Sequence, residues 1–232
     1  MIERMLRDEL REIRNQLRLA MNGAISASMR AKGIHYKLNF GVPLPEIKQI
    51  AATHEPGSEL AAALWKEDIR EFKILASFLQ PADDFPPEEA ANWVKEIPYP
   101  EIAEQCSRNL FCKLPYVGDF LLCNLSNRED TYGRTVAFLV YAELFKEKRE
   151  VSAPVKEAFL RESMRTVASP GFAASFIERQ VAVKAMKFYG RQSEKQAERI
   201  LADLGSFREF METPEGRETY DDLSFEFEYC RE

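Results

Sequence analysis

Several ordinary ingredients are scarce in this 232-residue chain, and each scarcity excludes something. Four cysteines, Cys106, Cys112, Cys123 and Cys230, lie scattered and form no CxxC pair. The N-terminus, MIERMLRDELREIR, is charged from residue 3 and offers no apolar segment of a secretory signal. The cysteines therefore read as free thiols, mostly buried as small hydrophobes. Histidine is limited to His35 and His54, and no ligand spacing accompanies them. Neither a metal nor a cofactor is expected, and any acid–base chemistry falls to carboxylates, tyrosines or lysines. No apolar run approaches the roughly 20 residues of a membrane span, so no membrane contact and a cytoplasmic location are expected. Val, Ile and Thr do not gather into alternating runs, which leaves no signal for a sheet.

A large excess of one charge is also missing. The net charge is −6, but it is unevenly spread. Residues 201–232 carry 10 acidic and 3 basic side chains, whereas residues 1–50 carry 9 basic and 5 acidic ones. An acidic tail follows a near-neutral body with a basic beginning. Local potential rather than total charge decides whether phosphate is attracted, so the acidic balance does not exclude nucleic acid.

Helical periodicity runs through the chain. Over 2–21 the residues Met5, Leu6, Leu10, Ile13, Leu17 and Met21 form one stripe, and Arg4, Arg7, Arg11, Arg14 and Arg18 fall elsewhere among acids. Pro43 and Pro45 open a helix to Ala51, and LAAALW (60–65) and a stretch at 68–79 follow. PPEEAANWVKEI is opened by Pro86-Pro87 and closed by Pro98. Further helices are expected at 100–112, 116–125, 129–147, 154–167, 171–190 and 193–203. The stretch 129–147 has almost no polar face and must be covered on most sides. About ten helices with short turns make an all-α fold, either an α-solenoid or a compact bundle. The helix pairs recur at intervals in the range of HEAT repeats, without a legible repeat consensus. The expected organisation is a helical domain at 1–205 and an acidic C-terminal tail at 206–232, partly docked.

Three ordered segments carry a family resemblance. FGVPLPEIKQIA (40–51) resembles an F-G-V-x-x-P-x-I-[RK]-x-I-A entry motif. LAAALWKEDIREFKILASFL (60–79) is similar to an L-W…E-x-[RK]-x-L-A helix pair. WVKEIPYPEIAEQCSRNLFCKLP (93–115) is similar to W-x-x-x-I-x-x-W-D-x-x-D followed by N-L-F-x-K-x-P, and VKAMKFYGRQ (183–192) is a weaker fourth match. Together they resemble the DNA alkylation repair proteins, the AlkD-like DNA glycosylases, over about residues 30–200. The resemblance implies a single curved α-α superhelix of HEAT-like (HEAT/ARM-like) repeats with a basic concave groove for duplex DNA. It also implies excision of positively charged alkylated purines without base flipping, by hydrolysis of the N-glycosidic bond. In that family an aspartate stabilises the developing sugar cation, tryptophans line the site and an arginine holds the backbone.

Carried onto this chain, the aspartate falls on Glu104 and a second acidic position on Glu101. The preceding tryptophan falls on Pro100, beside Tyr99, the arginine on Thr135 beside Arg134, and the last tryptophan on Phe188. On an ideal helix Glu101, Glu104 and Arg108 share an arc opposite Ile102, Ala103, Cys106 and Leu110. That arc reads either as a solvated face or as a face toward DNA. The expected catalytic residues are Glu104 and Glu101, with Tyr99, Tyr132 and Phe188 lining the site. Arg134, Arg108, Arg30, Lys32, Lys37, Lys184, Lys187 and Arg191 are the expected DNA contacts. Trp65 and Trp93 read as core anchors. A non-catalytic protein binding distorted or branched DNA and an α-solenoid scaffold for a protein segment are the alternatives. The acidic tail is a candidate to occupy the basic groove as a mimic of DNA.

Overall fold

The computed structural model describes residues 2–169 and 172–229. Among these residues there is no strand, only an isolated bridge between Leu38 and Ile69. No described helix is long and apolar enough to cross a membrane. Two compact units are present, Met1–Pro115 and Tyr116–Glu232.

The first unit contains α1 (Ile2–Leu19), α2 (Gly23–Ala31), α3 (Leu44–Ala51), α4 (Ser58–Trp65), α5 (Arg70–Leu79), α6 (Pro87–Lys95) and α7 (Pro100–Asn109), closed by a 3-10 turn at Phe111–Lys113. Prolines stand in the first turn of α3, α6 and α7, where the missing N–H is not needed. The core helix is α5, which packs against α3, α4 and α7 and buries Phe72, Ile74, Leu75 and Leu79. Trp65 and Trp93 are buried and stack face to face at 4.1 Å, and Trp65 Nε1 donates to Glu96 at 2.7 Å. Both are core anchors.

Two findings in this unit differ from the sequence expectation. Helix α2 was not signalled by periodicity, because GAISASMRA is short and small. It starts where the Asn22 side chain accepts from the backbone of Ala24 and Ile25. Of the expected apolar stripe only Ile13 and Leu17 of α1 are fully buried, while Met5 is 66% exposed and Met21, past the end of α1, is 63% exposed. The helix packs on α3 and α4, and the buried stripe residues lie in its C-terminal half.

The FGVP motif has a local cause. Gly41 takes φ +71°, and a Cβ there would meet the Asn22 carbonyl oxygen at 2.2 Å and the Ser26 nitrogen at 2.8 Å. Glycine is required on both counts. Gly41→Ala is expected to lower stability by about 2–4 kcal/mol, combining backbone strain with overpacking. A urea unfolding midpoint unchanged from wild type would contradict this.

The second unit contains α8 (Val117–Ser126), α9 (Gly133–Lys146), α10 (Ala153–Ala168), α11 (Phe176–Gly190), α12 (Glu194–Gly205), α13 (Arg208–Glu212) and α14 (Pro214–Tyr229). Helix α9 is buried at every residue from Gly133 to Phe145, packed by α8 and α11, as its lack of a polar face requires. It begins at 133 rather than 129 because Asn127 Oδ1 accepts from the backbone of Glu129 and Asp130, holding a turn there. Similarly, α11 begins at Phe176, not 171, where Ser175 caps the Glu178 N–H.

The acidic C-terminal stretch is helical. Helix α14 packs on α11 and α12 and buries Leu223 and Phe227. Phe227 sits directly over Gly190, where a Cβ would lie 2.3 Å from its ring carbons. Cys106 and Cys112 are buried and Cys123 is exposed, and none of the three forms a disulfide among the described residues; Cys230 lies outside them.

Candidate nucleic-acid interface

In the first unit the candidate residues gather around a loop after α2. Its position is set by the side chains of Tyr99, Asp68 and Glu71. Tyr99, at the N-cap of α7, accepts from the His35 N–H at 2.8 Å and donates to the His35 carbonyl at 3.0 Å. The Lys37 N–H donates to Asp68 at 2.9 Å. Glu71 of α5, fully buried, accepts from the backbone N–H groups of Phe40 and Val42 at 3.1 and 3.2 Å. The loop is thus pinned, and it holds Lys32 and Lys37 exposed beside exposed Arg30 of α2.

Helix α7 presents the expected arc. Ile102, Ala103, Cys106 and Leu110 are buried, and Glu104 and Arg108 are exposed. Glu101 is not free. Its two oxygens accept from Arg70 Nε at 2.8 Å and Nη2 at 2.6 Å, in a fork-to-fork pair. Arg70 also donates through Nη1 to Glu71 and to the Val42 carbonyl, both at 2.9 Å. Glu101, expected to be catalytic, is joined here to Arg70 and so ties α7 to α5. Tyr99 likewise anchors the loop. Beside it stands Tyr36, whose ring meets Tyr99 edge-on at 4.9 Å. The Tyr36 hydroxyl is buried without a hydrogen-bond partner among the described residues, and burial, then the charge of Glu101, pushes its ionisation upward. Glu104 is the carboxylate of this face that stands exposed.

The second unit repeats the arginine device. Arg134, near the start of α9, is only 6% exposed. It donates through Nε to Glu178 of α11 at 2.7 Å, through Nη1 to Glu162 of α10 and the Leu125 carbonyl, and through Nη2 to Thr166. Arg70 and Arg134 thus do the same work in each unit. Each opens a core helix, takes a backbone carbonyl behind it, and grips a carboxylate two helices ahead. Arg134, expected to hold DNA, lies inside the unit with its guanidinium engaged. An arginine on so apolar a helix needs such partners.

The basic stripe on α11 is present but covered. Lys187 pairs with Asp222 at 2.7 Å and Glu226 at 3.7 Å, and Arg191 pairs with Glu226 through Nε at 2.8 Å. Both acids belong to α14. Arg191 also lies 5.1 Å from the centre of half-buried Phe188. Lys184 and Lys187 line a cavity of about 590 Å³ between α11 and α14. Tyr132 is the half-buried N-cap residue of α9. Sequence reasoning missed Arg70, Tyr36 and an arginine cluster on α10. The only legible signal was Arg161 and Arg165, four apart on one helical face.

Comparison with known proteins bears on these placements. The pattern of the family described as "DNA alkylation repair enzyme" matches residues 13–170. No curated protein matches the chain. A solved structure described as "A new family of proteins related to the HEAT-like repeat DNA glycosylases with affinity for branched DNA structures" superposes with a TM-score of 0.73 at 12% identity. The match covers 85% of this chain and 82% of that one. At that identity the likeness establishes the fold, an all-α arrangement of HEAT-like repeats.

Proposed function

Because the chain belongs to the DNA alkylation repair enzyme family, we propose that it binds distorted or branched DNA without cleaving the N-glycosidic bond. The observation that carries this reading is the pinned loop with Lys32 and Lys37, next to Arg30 of α2, beside an α7 face whose Glu101 is locked to Arg70. A site built for base excision needs a carboxylate and a cation available to the sugar and phosphate. Here Glu101 and Arg134 are both spent on holding helices together. Pro100 takes the place where the family motif has a tryptophan, and it starts α7. Exposed cations on a rigid loop suit phosphate contacts, which set affinity without reading sequence. Affinity for branched DNA in the structural neighbour supports the same direction.

The test is anisotropy titration of a four-way junction against a linear duplex of equal length. The junction is expected to bind at least about tenfold more tightly at ~0.15 M salt. A Lys32→Ala/Lys37→Ala variant should weaken both and reduce the log–log salt slope by about 1–2. Equal affinity for the two DNAs counts against the reading, and no affinity for either favours a protein-binding scaffold.

One observation favours a second reading. Glu104 stands exposed one turn after Glu101, on the face that the family motif uses. If it stabilises a sugar cation, the protein releases free alkylpurine from methylated duplex, and Glu104→Gln abolishes release. Absence of release by the wild type ends that reading.

On either reading, α14 competes with DNA for Lys187 and Arg191.

A further inference from the structure

A separate concentration of positive charge lies within the second unit. A cavity of about 260 Å³ is lined by Arg128, Arg134, Arg161, Arg165 and Glu162 over leucines of α8. Three of the guanidiniums converge on one ring: Arg128, Arg134 and Arg165 lie 4.7, 5.0 and 4.9 Å from the centre of Phe172. Like charges gathered this closely repel unless anions balance them. Two carboxylates do so in part. Glu178 holds Arg134, and Glu162 is shared among Arg134 and Arg161, each at 3.2 Å, and Arg165 at 3.9 Å. Arg128 has no ion pair among the described residues. Asp130 does not line the cavity, and its carboxylate accepts from the Asn127 amide. Four cations against two anions leave an excess of about two positive charges.

The arrangement is graded. Arg134 forms the buried end, and the side chains of Arg165 and Arg161 are 48% and 68% exposed. Phe172 holds guanidinium planes in place through its ring, so less freedom is lost when they bind. We propose that this cavity binds a phosphomonoester dianion. Such a group carries about −1.5 to −2 charge at neutral pH, matching the excess, and its oxygens suit forked guanidinium donors. A diester or a carboxylate, with one charge, leaves half of the excess unbalanced. The ester could stand at the 5′ end of a DNA strand or on a small molecule, and the chemistry of recognition is shared. The site is built from residues of the second unit alone, so it does not depend on the DNA-binding reading.

Titration calorimetry and thermal unfolding of the full chain with inorganic phosphate, against chloride at equal ionic strength, test the proposal. The wild type is expected to bind phosphate and gain thermal stability from it. Arg128→Gln and Arg165→Gln are exposed substitutions that should each weaken binding at least tenfold while leaving unliganded stability near wild type. Anisotropy with 5′-phosphorylated and 5′-hydroxyl overhang DNA assigns the source. A preference for the phosphorylated end that is lost in both variants identifies a DNA terminus. Phosphate binding without that preference identifies a small phosphate ester. No phosphate effect beyond that of chloride, or binding equal in wild type and both variants, overturns the proposal.

Discussion

Asp222→Asn combined with Glu226→Gln is expected to raise affinity for DNA by about 10–100-fold at ~0.1 M salt, by freeing two phosphate-binding cations. Lys187 of α11 and Arg191 at its C-cap are paired to these two acids of α14. The pairs are partly exposed, with Asp222 at 50% and Lys187 at 24% side-chain exposure. Exposed pairs contribute roughly 0–1 kcal/mol each to stability, so their loss leaves the fold standing. Helix α14 is kept in place by Leu223 and Phe227. The substitution therefore separates charge from packing, which deletion of the tail cannot do. Titration across a range of salt should give a log–log slope steeper by about 2, because each new phosphate contact adds ~0.9. Gly190→Ala attacks the same contact from the other side, pressing a Cβ into the Phe227 ring. If neither variant changes affinity or slope, α14 does not compete with DNA.

Removing the Arg70 guanidinium should have the largest effect on stability. Arg70→Ala is expected to cost about 3–5 kcal/mol, the usual penalty for breaking a buried ion pair. Arg70 is 2% and Glu71 0% exposed, and Glu101 depends on the same guanidinium. Loss of the arginine leaves a buried carboxylate whose remaining partners are two backbone N–H groups of the FGVP turn. Pairing Arg70→Met with Glu71→Gln and Glu101→Leu should recover much of the loss, since an apolar substitute of similar volume removes the charges together. Urea unfolding measures both variants. A loss under about 1 kcal/mol for Arg70→Ala would show that the brace is dispensable.

The helices were legible because local signals announce them. Prolines at 45, 87 and 100 start α3, α6 and α7, and the all-apolar run of α9 demanded burial on most sides. Helix α2 escaped because its start rests on one asparagine side chain rather than on periodicity. The arc on α7 was read correctly as a face, since 100° per residue is a local property. What each residue on that face does was not legible. Glu101 and Arg70 are 31 positions apart, and Arg134 and Glu178 are 44 apart. No spacing rule joins residues at such separations, so the partners of these two candidate site residues could not be read from the sequence.

The chain by itself therefore determined its class and its parts: helices, their boundaries within a few residues, the Gly41 turn, the apolar stripes and the uneven charge. These follow from short-range sterics and from periodicity, which one segment carries alone. Tertiary structure decided which charges are available. A carboxylate or guanidinium looks the same in the sequence whether it meets water, a partner or an empty cavity. Packing tied Glu101 to Arg70, placed Arg134 among Glu162 and Glu178, and laid α14 over the α11 stripe. It also gathered three arginines on Phe172. The energy of a charge depends on what surrounds it, and those surroundings come from distant parts of the chain.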